Sequence, residues 1–396
     1  MNEEMLSVIK IVLTTFLTSA LIMPFMKKIA VHVGAIDIPR SEEGNRHIHK
    51  REIPKLGAVG IFLSFLLGYM LFGEQSVRMN SILIGSFIMI LTGIVDDIKP
   101  IKAWQKLIGQ LIAASVIVFY GGILLNNITA FGLSFDFGIL SYPITLFFII
   151  ACSNIINLID GLDGLSGGIC SIFYITIGII GLYQGRSGSL VMILTFIMLG
   201  STLGFLVHNF YPAKIFAGDC STFMGFIISV ITLLEFKGPA LTSFFVPVMI
   251  LGIPILDTLF AIIRRLLKGQ APFQADKKHL HHQLLGMNFS QRNTVLIIYG
   301  MNILFAAASI FYTLKDPLYG QIIYIIIFII FLWFVLHTTI ISDKNPKRTK
   351  KIIDKLSIKE NKKKEEKLKE KIKKTEEKAK KIKSHNKNKN NKKKKK

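Results

Sequence analysis

Cysteine and charge are both scarce in this sequence. The three cysteines, Cys152, Cys170 and Cys220, lie in or beside apolar segments without metal-type spacing, which argues against disulfides and against a zinc cluster. Charge disappears over long stretches: SYPITLFFIIACS, residues 141–153, carries none. Charged residues make up 18% of the 396 residues against 51% hydrophobic, and the mean hydropathy is +0.50. That balance excludes an average soluble globular domain. No internal repeat stands out, which gives no support to a solenoid or propeller. The opening MNEEMLSVIK places acid ahead of the first apolar run. That run is longer than a signal-peptide core, so it reads as a retained membrane span.

What is abundant is lysine, and it is unevenly placed. Residues 344–396 hold 26 Lys plus Arg against 7 Asp plus Glu, and the rest of the chain holds 22 against 18, so the net charge of +23 belongs mostly to the tail. No aromatic residue follows Phe334. Such a segment cannot bury a core. Residues 343–396 are therefore expected to form a solvated cytoplasmic tail, disordered or partly helical through Glu and Lys spaced three or four apart. Its expected contact is with anionic lipid headgroups, and nucleic acid is not an expected partner.

The rest, residues 1–342, reads as a transmembrane catalytic domain with cytoplasmic loops. Apolar segments near 5–26, 56–73, 79–95, 106–125, 141–157, 166–184, 188–207, 216–234, 240–262, 294–314 and 319–341 each approach the roughly 20 residues that a bilayer requires. The expected fold is an all-α, polytopic membrane helix bundle with about 10–11 transmembrane helices. Loops after odd-numbered segments carry most of the Lys and Arg, including Lys27, Lys28, Arg40, Lys55, Lys99, Lys106, Lys214, Arg264 and Arg265. The positive-inside rule then gives N-out, C-in. The same division places nearly every reactive side chain on the cytoplasmic side.

Those side chains have recognisable chemistry. GIVDDIKPIKAWQKLIGQ pairs Asp96 and Asp97 at a helix end, beside Lys99, Lys102 and Lys106. Carboxylates are poorly placed at a helix C-terminus unless a cation compensates them, so a charge cluster is expected there. In NIINLIDGLDGLSGG, Asn154, Asn157 and Asp160 fall three apart along one side of a helix, and Asp163 falls in a glycine-rich turn. Such a turn lets backbone N–H groups reach a phosphate, and it could equally be a capped helix end. HNFYPAKIFAGD sets Asn209, Lys214 and Asp219 ahead of another span, where Asp219 could act as a helix cap or as an oxygen ligand. ADKKHLHHQLL carries His279, His281 and His282, which could bind zinc but among basic neighbours more often contact phosphate or form a solvated loop. Cations for phosphate, carboxylates for a hard metal and amides for a base or sugar together suit phosphoryl transfer at a membrane surface. A polytopic transporter is the reading from another class. It would set its polar groups near the bilayer midplane, whereas these sit at one face.

As a set, RHIHKREIPKLGAVGI, GIVDDIKPIKAWQKLIGQ, NIINLIDGLDGLSGG, FLVHNFYPAKIFAGD, GIPILDTLFAIIRR and ADKKHLHHQLL, in that order over about residues 37–285, resemble the polyprenyl-phosphate N-acetylhexosamine-1-phosphate transferases. That resemblance implies a bacterial plasma-membrane enzyme that moves a sugar phosphate from a UDP-sugar onto undecaprenyl phosphate with Mg2+, or with Mn2+ in its place. It makes Asp219 the main metal ligand, with Asp96 and Asp97 close to the metal and the lipid phosphate. Lys55 and Lys106 would serve phosphates. Asn154, Asn157, Asp160 and Asp163 would form the nucleotide-sugar side, with Asn209 and Arg264 also binding substrate and His279, His281 and His282 closing over it.

The HLHH form is similar to the branch that uses UDP-N-acetylglucosamine and begins teichoic acid, O-antigen or capsule-like polymers. The muramoyl-pentapeptide branch, the alternative donor class, typically reads HHH. A homodimer is compatible with the resemblance. The chain departs from the family at Ala58, where a second glycine is usual, and at Cys220, Ser221 and Thr222, where x-Gly-Ser is common.

Overall fold

All eleven apolar segments form helices in the computed structural model, which describes residues 3–38, 52–130, 133–235, 245–267, 279–315 and 317–337. In chain order the helices are α1 (Glu3–His32), α2 (Gly57–Phe72), α3 (Val77–Ile98), α4 (Ala103–Ser115), α5 (Ser141–Ile159), α6 (Leu165–Tyr183), α7 (Leu190–Asn209), α8 (Thr222–Glu235), α9 (Phe245–Ile250), α10 (Gly252–Leu267), α11 (Leu280–Gly286), α12 (Gln291–Leu314) and α13 (Pro317–His337). Among the described residues, seven helical stretches are long and apolar enough to cross a membrane, and three shorter apolar helices accompany them. The protein is thus an all-α, multi-pass membrane bundle. The lysine-rich tail, Asp276 and the side chain of Arg264 lie outside the described residues.

Lipid-facing and protein-facing surfaces separate along α1. Leu13, Leu17, Leu21 and Phe25 are exposed, whereas Ile11, Thr15, Ser19, Met23 and Met26 are buried. The buried stripe advances by three or four residues, as one face of a helix must. Apolar packing gains little in lipid, so hydroxyl bonds and close contacts contribute to joining the helices. Ser19 donates to the Ser201 carbonyl at 2.6 Å, Ser64 donates to the Thr15 carbonyl at 2.7 Å, and the Ser201 hydroxyl bonds Ser64 at 3.0 Å. Those bonds fasten α1, α2 and α7 together. At the centre, α8 buries all of its residues except Leu234. Phe223 meets Phe62 and Phe65 edge-on, with ring centroids 5.6 and 5.8 Å away.

Three features depart from the sequence reading. The described part of the segment near 240–262 is two helices, α9 and α10, broken at Leu251. Pro254 lacks the amide that an unbroken helix would use, and Gly252 has no side chain to pack there. After α4 the chain winds more widely through the π-helical turn Val116–Tyr120. Two antiparallel pairs also appear: β1 (Ile36–Asp37) with β2 (Ile53–Pro54), and β3 (Asn127–Ala130) with β4 (Leu133–Asp136). The first pair brings the end of α1 to the start of α2, which sets the position of Lys55.

Candidate active site

The site forms where C-terminal ends of α3, α5 and α7 meet N-terminal ends of α2, α4, α6 and α8. Asp96 and Asp97 close α3, Lys106 opens α4, Asp160 follows α5, and Asp219 begins the 3-10 turn that leads into α8. All belong to the same end of the bundle, and hydrogen bonds and ion pairs join Asp96, Asp97, Lys106 and Asp219.

Asp97 is buried, and its carboxylate holds a loop. Its Oδ1 accepts from the Asp219 amide at 3.0 Å, and its Oδ2 accepts from the Cys220 amide at 3.3 Å. Lys55 Nζ lies 3.6 Å from Oδ1. Asp96 is tied locally, with Oδ1 accepting from the Ile101 amide at 3.0 Å. Its other oxygen stands 3.1 Å from Lys106 Nζ, and the same ammonium reaches Asp219 Oδ1 at 2.5 Å. One lysine therefore bridges two carboxylates.

Among the three acids, the Asp219 side chain is the most open, at 30% exposure against 12% for Asp96 and none for Asp97. Gly218 permits this arrangement. Its backbone sits at φ +77° and ψ −167°, a region that is essentially reserved to glycine. A methyl group there would come within 2.4 Å of Asp97 Oδ2.

Backbone bonds align the neighbouring loops. The Phe216 amide donates to the Pro54 carbonyl at 2.9 Å, and Gly57 and Ala58 donate back to Phe216 and Ala217 at 2.8 and 3.3 Å. This seam fixes Lys55 beside the loop that ends in Asp219. The glycine-rich turn after α5 is held by Asn209 and Asp163, both buried. Asn209 Oδ1 accepts from the Gly164 amide at 3.0 Å while its Nδ2 donates to the Ile215 carbonyl at 2.9 Å, and Asp163 Oδ2 accepts from the Ala213 amide at 2.9 Å. From α12, the Tyr299 hydroxyl donates to the Gly164 carbonyl. A methyl group at Gly168 would land within 1.9 Å of that hydroxyl, so only glycine fits this contact.

The three polar residues on α5 have different surroundings. Asn154 exchanges a reciprocal amide pair with the buried Gln110 of α4, at 2.7 and 3.2 Å, and also donates to the Ile150 carbonyl at 2.8 Å. Asn157 Oδ1 accepts from the Ser221 hydroxyl at 2.7 Å, a bond that glycine, common at this position in the family resembled, could not make. Asp160 accepts from the Ser166 hydroxyl. Burial pushes the Asp160 carboxyl up to about 7, with Asp219, Asp97 and Asp163 adding to the rise against the lowering effect of Ser166.

The histidine segment reaches the same turn from α11. His279 and His281 are both buried, and their rings lie nearly parallel with centroids 5.8 Å apart. Burial, with His282 beside it, lowers His281 to about 3, so it is neutral at ordinary pH.

The structure thus gathers Lys55, Asp96, Asp97, Lys106 and Asp219 into one cluster, with Asn157 and Asp160 against it. It places Asp163, Asn209 and Asn154 in the frame behind. Gln110, Ser166 and Tyr299 are not among the residues the sequence singles out, and Ser221 stands out there only as a departure from the family pattern. Gln110 carries a signal, because it lies four residues past Lys106 and so shares its helix face. Among the described residues, no group of three or more His, Cys, Asp or Glu side chains could hold a metal ion. The donor chemistry fits Mg2+ at Asp219 and Asp96, since that ion commonly takes one or two carboxylates and completes its shell with water and phosphate oxygen.

Known proteins share this chain's sequence over most of its length. Residues 79–235 match the family described as glycosyl transferase family 4. A Bacillus subtilis protein named "Probable undecaprenyl-phosphate N-acetylglucosaminyl 1-phosphate transferase" is 37% identical over 345 residues, covering 86% of this chain and 94% of its own. The decaprenyl-phosphate N-acetylglucosaminephosphotransferase of Mycobacterium tuberculosis is 31% identical, over 76% of this chain and 83% of its own. The undecaprenyl-phosphate alpha-N-acetylglucosaminyl 1-phosphate transferase of Escherichia coli K12 is 28% identical, over 74% and 81%. With the helical bundle and the carboxylate–lysine cluster already described, these likenesses place the chain among the membrane-bound transferases: it belongs to glycosyl transferase family 4.

Proposed function

We propose that this protein transfers N-acetylglucosamine 1-phosphate from UDP-N-acetylglucosamine to undecaprenyl phosphate and releases UMP. The reaction would be the first membrane step of a cell-envelope polysaccharide, performed at the cytoplasmic face of a bacterial plasma membrane by a chain oriented N-out, C-in. The relatives' names support the acceptor and the sugar phosphate. The charge asymmetry of the loops supports the orientation. One observation carries the chemistry: Lys106 bridges Asp96 and Asp219, with Lys55 on Asp97 beside them, at the one bundle end where the glycine-rich turn also lies.

In the proposed step an oxygen of the lipid phosphate forms a bond to the sugar-bearing phosphorus of the donor, and the bond from that phosphorus to the UMP oxygen breaks. One phosphoanhydride replaces another, so the reaction is reversible. The lipid phosphate monoester has a second pKa near 6 and is mostly dianionic at neutral pH, so little base assistance is required. Lys55 and Lys106 reduce repulsion between the two anionic substrates and hold their phosphates in line. Asp97 acts through the loop, fixing the Asp219 and Cys220 amides and hence the direction of the Asp219 carboxylate. Mg2+, held by Asp219 and Asp96, would supply further charge neutralisation at the diphosphate.

The test is direct. Purified protein in detergent with radiolabelled UDP-N-acetylglucosamine, undecaprenyl phosphate and Mg2+ should yield labelled lipid and UMP. Chelation should stop turnover, and Asp219→Asn should abolish it while the protein stays folded. Turnover only with the UDP-muramoyl-pentapeptide precursor would replace the proposed donor, and no product from any UDP-sugar would overturn the enzyme reading.

A further inference from the structure

Asp257 is a buried acid on α10 that the proposed chemistry does not use. Its carboxylate is fully directed at the histidine segment: Oδ1 accepts from the Leu280 amide at 2.7 Å, and Oδ2 lies 3.1 Å from His279 Nδ1. A carboxylate can only accept, so in this contact His279 donates from Nδ1, and the ring is oriented by Asp257. From His279 the rings continue in a row, with His281 5.8 Å away and His282 4.2 Å beyond His281. His281 ends against the glycine-rich turn, where a methyl group on Gly161 would come within 2.8 Å of its Nε2. Thus α10, 22 residues upstream of His279, anchors a row of imidazoles that abuts the turn after α5.

We propose that Asp257 is a positioning residue, which holds the His279–His282 row against the Gly161 turn and so fixes the wall that meets the nucleotide sugar. The proposal rests on the donor reading above for its ligand, and on the hydrogen bonds alone for the positioning. Asp160, next to Gly161, is held from the other side by the Ser166 hydroxyl and not by a histidine, so a displaced histidine row would open one side of the donor site and leave the lysine–carboxylate cluster intact. The expected consequence falls on the nucleotide sugar, not on the lipid phosphate.

Two variants separate this from general destabilisation. Asp257→Ala removes both acceptors. Asp257→Asn keeps an oxygen for the Leu280 amide and turns an NH2 toward His279, which must then accept at Nδ1. Amide hydrogen exchange needs no substrate and reports the segment itself. In Asp257→Ala, exchange over residues 279–286 should rise about tenfold and KM for UDP-N-acetylglucosamine about tenfold, with KM for undecaprenyl phosphate changed by less than about twofold. Asp257→Asn should restore most of the exchange protection. Unchanged exchange in Asp257→Ala would overturn the proposal, as would a rise spread over the whole bundle with both KM values climbing together. Should the wild type make no UMP from any UDP-sugar, the donor reading falls, and the exchange comparison still decides the role of Asp257.

Discussion

Adding one methyl group at Gly218 tests the architecture most sharply. Gly218→Ala puts a side chain on a backbone at φ +77° and ψ −167°, where strain is about 1–3 kcal/mol. The new carbon would also lie 2.4 Å from Asp97 Oδ2. That carboxylate cannot swing aside freely, since the Asp219 and Cys220 amides and Lys55 hold it. Relief therefore requires giving up at least one hydrogen bond to a charged acceptor, about 1.5–3 kcal/mol. The sum is about 2.5–6 kcal/mol, concentrated within one residue of Asp219. A displacement of order 1 Å in a positioned group can lower turnover about 100-fold, and that is the expected loss in UMP release.

Gly34→Ala is the matched control. Its φ is also +77°, but nothing lies within 4 Å of the added carbon, so it bears only the left-handed cost of about 1–2 kcal/mol. Turnover in Gly34→Ala should stay near wild type. Wild-type turnover and melting temperature in Gly218→Ala, or equal losses in the two variants, would refute the reasoning.

Three further outcomes follow from other parts of the molecule. Gln110→Leu should lower stability by about 1–3 kcal/mol, because the Asn154 amide loses its paired partner; in thermal unfolding, adding Asn154→Leu should recover part of the loss, and a purely additive further loss would discount the pair. The Asp160 carboxyl, raised from 3.8 to about 7, keeps a proton in the folded protein that the unfolded chain has released. Its favourable contribution is therefore complete below about pH 3.8 and lost as pH rises through about 7. Asp160→Asn should show a shallower fall in melting temperature across that window, and parallel curves for variant and wild type would count against it. Removing residues 351–396 should leave turnover in detergent close to that of the full chain; a large loss would give the lysine-rich tail a catalytic part.

Much of this was legible in the sequence, for reasons that particular residues make clear. Apolar runs such as LVMILTFIMLG, in α7, exceed what any loop could carry, so the helices announce themselves. Hydropathy sums residues without regard to their amides, which is why the break at Leu251 between α9 and α10 was not visible in it. Motif order placed Lys55, Asp96, Asp97, Lys106 and Asp219 on one side, and hydrogen bonds and ion pairs join them into one cluster. Division of labour was not legible. Asp97 and Asp219 are both aspartates beside glycine or aspartate, and only the two backbone amides on Asp97 reveal that one holds the loop and the other faces outward. Partners distant in sequence were equally hidden: Gln110 finds Asn154 across 44 residues and Asp257 finds His279 across 22.

The seam between residues 54–58 and 216–217 has a wider meaning. Its three hydrogen bonds run from peptide group to peptide group, so no side chain is needed to maintain the spacing between Lys55 and the Asp219 loop. Ala58 occupies a position usually held by glycine in the family resembled and still donates to Ala217. On the proposed chemistry, side chains around the donor could then change without altering the distance between Lys55 and the Asp219 loop. A frame built in this way uncouples the recognition of the cargo from the operation performed on it.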